Sequence, residues 1–146
     1  MNIEYAFAGK ALTEEEINAF EERHRVSLPE DYRHFLLSSN GGMPSTAVLH
    51  LRSGYRVALC QLYSLNDDFP YDLDRKCKST DWATAYRRGC LRIGRDPGGS
   101  GIFISTRGDD RGSIYFFDRE EAIRPPEGAI KLADSFTQFM AELEPY

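Results

Sequence analysis

The chain has 146 residues, 41% of them hydrophobic and 28% charged, a size that one core fills and a composition far from the low-hydrophobicity, high-charge profile of disorder. No apolar run approaches the roughly 20 residues a membrane-spanning helix needs, and the opening MNIEYAFAGK lacks a basic start followed by an apolar signal core, so the expectation is a single cytoplasmic domain over residues 1–146. The net charge of −5 is uneven: residues 1–40 carry four basic against eight acidic side chains and residues 120–146 two against six, which leaves 41–119 at +3.

In chain order, LTEEEINAFEERHRVSLPEDYRHFLLSSNGG, residues 12–42, is predicted to form two helices. Thr13 and Glu16 have capping-box spacing, Leu12 and Ile17 flank it as a hydrophobic staple, and Glu14 to Glu16 sit where the helix dipole favours negative charge. Pro29 suits the first turn of the second helix, and Tyr32, Phe35 and Leu36 then recur at i, i+3 and i+4. Gly41 and Gly42 end it, one of them expected to be left-handed.

The period then becomes extended. TAVLHL and YRVALCQLY are β-branched and aromatic runs around a Ser-Gly turn, the pattern of a hairpin, with Cys60 read as a small core residue. Residues 66–88 are irregular, but STDWATAYRRG offers Ser79 or Thr80 as a cap, Trp82 and Tyr86 four apart, and a terminal Gly89, which predicts a short helix on a long connection. Strands CLRIG, GIFIS and SIYFFD follow, the last two joined by TRGDDRG, and AIKLA is a further short strand. DSFTQFMAEL closes the order as a helix capped by Asp134 or Ser135, with Phe136, Phe139, Met140 and Leu143 on one face. Two helices, a run of about five or six strands, a short central helix and a final helix predict an α+β domain with a mainly antiparallel sheet rather than a βαβ series.

The stretch IGRDPGGSGIFIST, residues 93–106, concentrates glycine as a phosphate loop would. Such a loop requires G-x-x-x-x-G-K-[ST] leading into a helix. No Lys follows the glycines here and the next residues are strand-like, so a turn between antiparallel strands is expected. Asp96, Asp109, Asp110 and Asp118 lack the spacing of a calcium loop and read as turn formers. Cys60, Cys77 and Cys90 with His24, His34 and His50 show no zinc spacing, and the odd, scattered cysteines suit a reducing compartment. No nucleophile elbow is present. No catalytic residue, cofactor or metal ligand is predicted.

Charge does cluster between Arg75 and Arg95, with seven Lys or Arg and one acid, Asp81. Arg75, Lys76, Lys78, Arg87 and Arg88, with Trp82 and Tyr86, form a candidate partner-binding patch. A basic patch with aromatics can hold nucleic acid through phosphate contacts and stacking, a reading that the overall acidity opposes. It can also dock an acidic protein, or be a solvated face paired with nearby carboxylates.

The segments LTEEEINAFEERHRVSLPEDYRHFLLSSNGGMP, LRIGRDPGGSGIFISTRGDDRGSIYFFDREE and ADSFTQFMAEL together resemble the SUKH superfamily, which includes fungal cell-wall assembly regulators and bacterial immunity proteins. The resemblance implies a single α+β domain without catalysis. It implies as function the binding and neutralising of a cognate toxin, a nuclease or deaminase in many bacterial members, with a regulatory protein-interaction scaffold like the fungal members as the alternative. Pro29, Tyr32, Phe35, Gly41, Gly42, Ile93, Gly94, Gly98, Gly99, Tyr115 and Asp118 match the shared pattern and have cap, core, turn or strand explanations. Residues 66–88 match least, where a partner-specific surface is expected.

Overall fold

The computed structural model describes residues 5–7, 10–44, 47–65, 72–73, 89–118 and 129–144. Helix α1, Glu14–His24, begins as the capping box dictates: Thr13 Oγ1 accepts from the Glu16 amide at 3.2 Å and Glu16 Oε1 accepts from the Thr13 amide at 3.1 Å. Leu12, Ile17 and Phe20 turn into the core. Arg25 ends the helix in left-handed backbone, φ 53°, its amide donating to the Glu21 and Glu22 carbonyls.

Glu21 ties α1 to the second helix. Its carboxylate accepts from the Leu28 amide at 2.7 Å and pairs with Arg33 at 2.6 Å. Helix α2, Glu30–Ser38, buries Tyr32, Phe35 and Leu36. Pro29 stands one position earlier than expected, as the N-cap itself, where its carbonyl accepts from the Arg33 amide at 2.9 Å. Beyond Ser39 the left-handed backbone extends over three residues, Asn40, Gly41 and Gly42, and not over one glycine alone. A Cβ on Gly41 would lie 2.5 Å from the Tyr63 carbonyl oxygen, so this glycine also permits a close backbone approach.

Nine short strands occur among the described residues. Strands β1 (Tyr5–Phe7) and β2 (Met43–Pro44) pair antiparallel, and β1 has no counterpart in the expected element order. Strands β3 (Val48–His50) and β4 (Arg56–Ala58) form the expected hairpin. The five-stranded sheet runs β5 (Gln61–Leu62), β6 (Cys90–Arg95), β7 (Gly101–Ser105), β8 (Ile114–Phe117) and β9 (Ala129–Ala133), every neighbour antiparallel. Helix α3, Phe136–Glu142, closes the order, with Ser135 as its N-cap and the Gln138 amide donating to Ser135 Oγ at 3.0 Å.

The two-residue period of the strands sorts the sheet into two faces. Leu91, Ile93, Ile102, Ile104, Ile114 and Phe116 join Phe20, Tyr32, Leu36 and Phe139 in the main core. Phe103 and Phe117, ring centroids 5.0 Å apart and perpendicular, form a second cluster with Cys90 on the other face. Of the two cysteines among the described residues, Cys90 and not Cys60 is the buried one: Cys60 is only partly covered, because it lies between the end of the hairpin at Ala58 and the start of β5 at Gln61. The α+β architecture with its helix pair and terminal helix stands as expected; the short helix expected over residues 79–89 falls almost wholly outside the described residues.

Candidate interaction surface

The glycine-rich segment is a turn that consumes its own amides. Between β6 and β7 the Gly99 amide donates to the Asp96 carbonyl at 3.1 Å and the Ser100 amide to Asp96 Oδ1 at 2.7 Å. Gly99 takes φ 90°, and its carbonyl accepts from Arg92 Nη2 at 2.9 Å. An anion site needs outward-facing amides, supplied by a nest or by a helix N-terminus. Here two amides point back into the turn, and a strand comes next.

The aspartates organise turns in the same way. Asp110 Oδ1 accepts from Ser105 Oγ at 2.9 Å and Asp110 Oδ2 from the Tyr115 hydroxyl at 2.8 Å. Ser100 Oγ lies 3.4 Å from Asp118 Oδ1. Among the described residues no three His, Cys, Asp or Glu side chains gather as a metal ion would require. Of the histidines, His24 packs its ring 4.6 Å from Phe20, His34 is exposed on α2, and His50 lies 3.5 Å from Glu144.

The candidate patch Arg75, Lys76, Lys78, Trp82, Tyr86, Arg87 and Arg88 lies outside the described residues. The C-terminal part of the same basic run is placed, and two of its cations serve the sheet. Arg92 bonds the Gly99 carbonyl and lies over the Tyr63 ring at 5.9 Å, while Arg95 Nε donates to Gln61 Oε1 at 3.4 Å.

Two clefts of opposite sign border these elements. Where α1 ends, His24, Arg25, Val26, Ser27, Gly89, Thr106 and Arg107 enclose ≈ 500 Å³. A smaller hollow of ≈ 180 Å³ shares His24, Val26, Gly89 and Thr106 and reaches Cys90, Leu91 and Arg92. Its walls are fastened together. The Thr106 amide donates to the Gly89 carbonyl at 2.7 Å, Thr106 Oγ1 donates to the same oxygen, and Arg111 spans from the Thr106 carbonyl to the Ser27 carbonyl. On the side of α3, Asp134, Glu142 and Glu144 with His50 and Arg52 line a cleft of ≈ 570 Å³. Nearby, the Lys131 ammonium is held above its ordinary pKa by its hydrogen bond to Asp134, 2.5 Å away.

The amino-acid pattern places His24 on a helix margin but does not join it to Arg25 and Arg107, because those residues come together only across the sheet's end. The one local signal is the basic run Arg23, His24, Arg25, which helix-dipole chemistry already explains. Across the described residues no helix is long and apolar enough to cross a membrane.

Compared with known proteins, residues 11–142 match the model described as the SMI1 / KNR4 family (SUKH-1). No curated protein matches the chain.

Proposed function

The chain belongs to the SMI1/KNR4 family (SUKH-1), and from that premise we propose that it is a non-catalytic bacterial immunity protein, cytoplasmic, that neutralises a cognate toxin by binding it stoichiometrically. The observation that carries this reading is the extent of the family match, residues 11–142. The positions that gave the resemblance support it in kind, since the structure uses them as scaffold: Pro29 caps α2, Tyr32 and Phe35 enter the core, Gly41 lets α2 approach Tyr63, and Gly99 shapes the β6–β7 turn. A scaffold whose shared residues are committed to folding leaves its specificity to surface side chains.

The proposed contacts are Arg75, Lys76, Lys78, Arg87 and Arg88, with Trp82 and Tyr86, which would steer an acidic toxin surface and set partner choice in an interface of about 1,600 Å² in total. The test is co-expression with the product of the adjacent gene, followed by affinity capture and a toxicity assay. Capture and protection are the expected result. A neighbour that is neither toxic nor captured overturns the immunity reading, and capture of a non-toxic signalling protein would replace it with a regulatory scaffold. Reversing Arg75 and Arg88 to Glu should weaken capture about tenfold or more, and unchanged capture would remove the patch from the interface.

A further inference from the structure

In the β3–β4 hairpin the Leu51 amide donates to the Tyr55 carbonyl and the Leu59 amide to the Ala47 carbonyl, each at 2.9 Å. Val48 stands opposite Ala58 and His50 opposite Arg56, so the alternation of an antiparallel ladder turns the amide and carbonyl of Arg56 and of Ala58 away from β3. Val48 is in the same phase on β3, and its outward amide and carbonyl both bond Glu144 at 2.8 Å. Among the described residues no strand or bridge does the same for the outer edge of β4. We propose that this edge is a docking site for an extended segment of the partner protein, which adds to β4 as a strand whose carboxylate and β-branched side chains alternate. The proposal rests on the binding function proposed above and names a part of the described surface that the partner engages.

Main-chain pairing of this kind supplies affinity, and the flanking side chains supply the sequence preference. Arg56 is exposed and Ala58 half-buried, so the edge is open to an added strand. The two-residue period puts Arg56 on one face of the hairpin and Tyr55 on the other, with Val57. The Arg56 guanidinium makes no hydrogen bond or ion pair with a described residue, and on its face Glu144 lies 3.5 Å from His50, across β3. A carboxylate in the added strand opposite Arg56 therefore completes a cross-strand pair. Tyr55, 40% exposed, is the one large apolar side chain that stands out among the described residues, and its ring is backed by Phe116 at 6.3 Å between centroids. It offers apolar contact to the alternate positions of the same strand.

The edge is preorganised. Leu49 and Val57 hold the hairpin in the core and Glu144 closes the far side of β3, so binding orders little further backbone. Other edges are covered or irregular: Gly42 bridges Leu62 of β5, and the register of β9 with β8 shifts between Ile114 and Tyr115, a device that discourages pairing. A second copy of this chain suits β4 less well than an acidic strand, because two such edges joined antiparallel gather two Arg56 guanidinium groups on one face.

The test uses the full chain and a fluorescein-labelled peptide of alternating Glu and Val, read by anisotropy at low salt. The comparison probes are the Lys-Val peptide and two N-methylated forms of the Glu-Val peptide, one methylated at its glutamates and one at its valines. An added strand turns only one set of amides to β4, so binding is expected to be lost in one methylated form and kept in the other. The Lys-Val peptide should bind little, and R56E should weaken the Glu-Val peptide about tenfold or more. A58P removes an amide that β3 does not use, at an edge position where proline is tolerated, and should weaken binding about tenfold. If A58P does not melt cooperatively, the methylated forms read the same contact on the wild type. No binding of the Glu-Val peptide, equal binding by R56E and wild type, or loss of binding in both methylated forms or in neither overturns the proposal. So does concentration-dependent self-association of the wild type that A58P abolishes, which would give the edge to a second copy. Capture of the adjacent gene's product separates the two readings. An R56E or A58P variant that captures it as wild type does overturns the edge and leaves the immunity function standing, while a wild type that captures nothing fails the immunity function and leaves the edge to be decided by the peptides.

Discussion

Asn40 and Leu65 exchange two hydrogen bonds: Asn40 Nδ2 donates to the Leu65 carbonyl at 2.9 Å, and Asn40 Oδ1 accepts from the Leu65 amide at 2.8 Å. A third bond runs from Nδ2 to the Lys10 carbonyl at 2.7 Å. Asn40 is 1% exposed and left-handed, φ 46°. One side chain thus ends α2, fixes the approach to α1 and anchors the chain beyond β5. Asn40→Ala leaves buried backbone groups unsatisfied and should cost about 3 kcal/mol in urea unfolding. Asn40→Gly loses the same bonds but not the left-handed backbone, and should be about 1 kcal/mol less damaging. Wild-type stability in both would show that water replaces the side chain without loss.

The capping box makes a smaller, local contribution. Thr13→Ala removes the acceptor of the Glu16 amide at an exposed helix end, with an expected loss of about 1 kcal/mol. Glu16→Gln keeps the return bond to the Thr13 amide in geometry and gives up charge at the helix N-terminus, so a loss of about 0.5 kcal/mol is expected. Thermal melts of the two variants should fall in that order.

The elements legible in the sequence are those whose determinants are local. The capping box, the Ser-Gly hairpin turn and the short strand-forming runs CLRIG, GIFIS and SIYFFD each depend on neighbours within a few residues, and all three are present in the fold. Cys60 misleads because VALCQLY reads as one apolar run, although its two halves join different sheets, the first ending at Ala58 and the second starting at Gln61. Strand β1 is three residues long and finds β2 across almost forty positions, a pairing with no local signal. The same limit hides the bonds of Asn40 and the open edge of β4. Counting charge along the chain selects the run Arg75–Arg95, two of whose arginines hold the sheet, and passes over Arg56, which folding places on that edge.

At the edge of the sheet, the Lys131–Asp134 pair makes a small pH-dependent contribution. The Lys131 pKa is raised in the fold, first by its hydrogen bond to Asp134. A raised ammonium pKa stabilises fully below the unfolded value of about 10.4 and is lost as pH climbs through the folded one. Lys131→Gln should therefore flatten part of the fall in melting temperature on the alkaline side of pH 10. An unaltered alkaline profile would show that the pair does not persist in solution.

Gly94 and Gly98 separate the two uses of glycine in IGRDPGGSG. Gly94 lies in β6, where a Cβ would stand 2.5 Å from the Gln61 carbonyl oxygen and 3.2 Å from Leu62 Cδ2. Since the first of these is backbone, relief requires β5 to move off β6, and Gly94→Ala should cost about 2 kcal/mol. At Gly98 the nearest atom is Asp96 Oδ1 at 3.6 Å, and the residue is exposed without positive φ. Alanine there meets no obstruction and restricts the unfolded chain, so Gly98→Ala should fall within about 0.5 kcal/mol of wild type or slightly above it. Urea midpoints at constant m-value distinguish the two outcomes. Equal destabilisation would mean that the turn tolerates no side chain at its tip, and the spacing between β6 and β7 would then depend on both glycines; a neutral Gly98→Ala places the constraint in the β5–β6 contact.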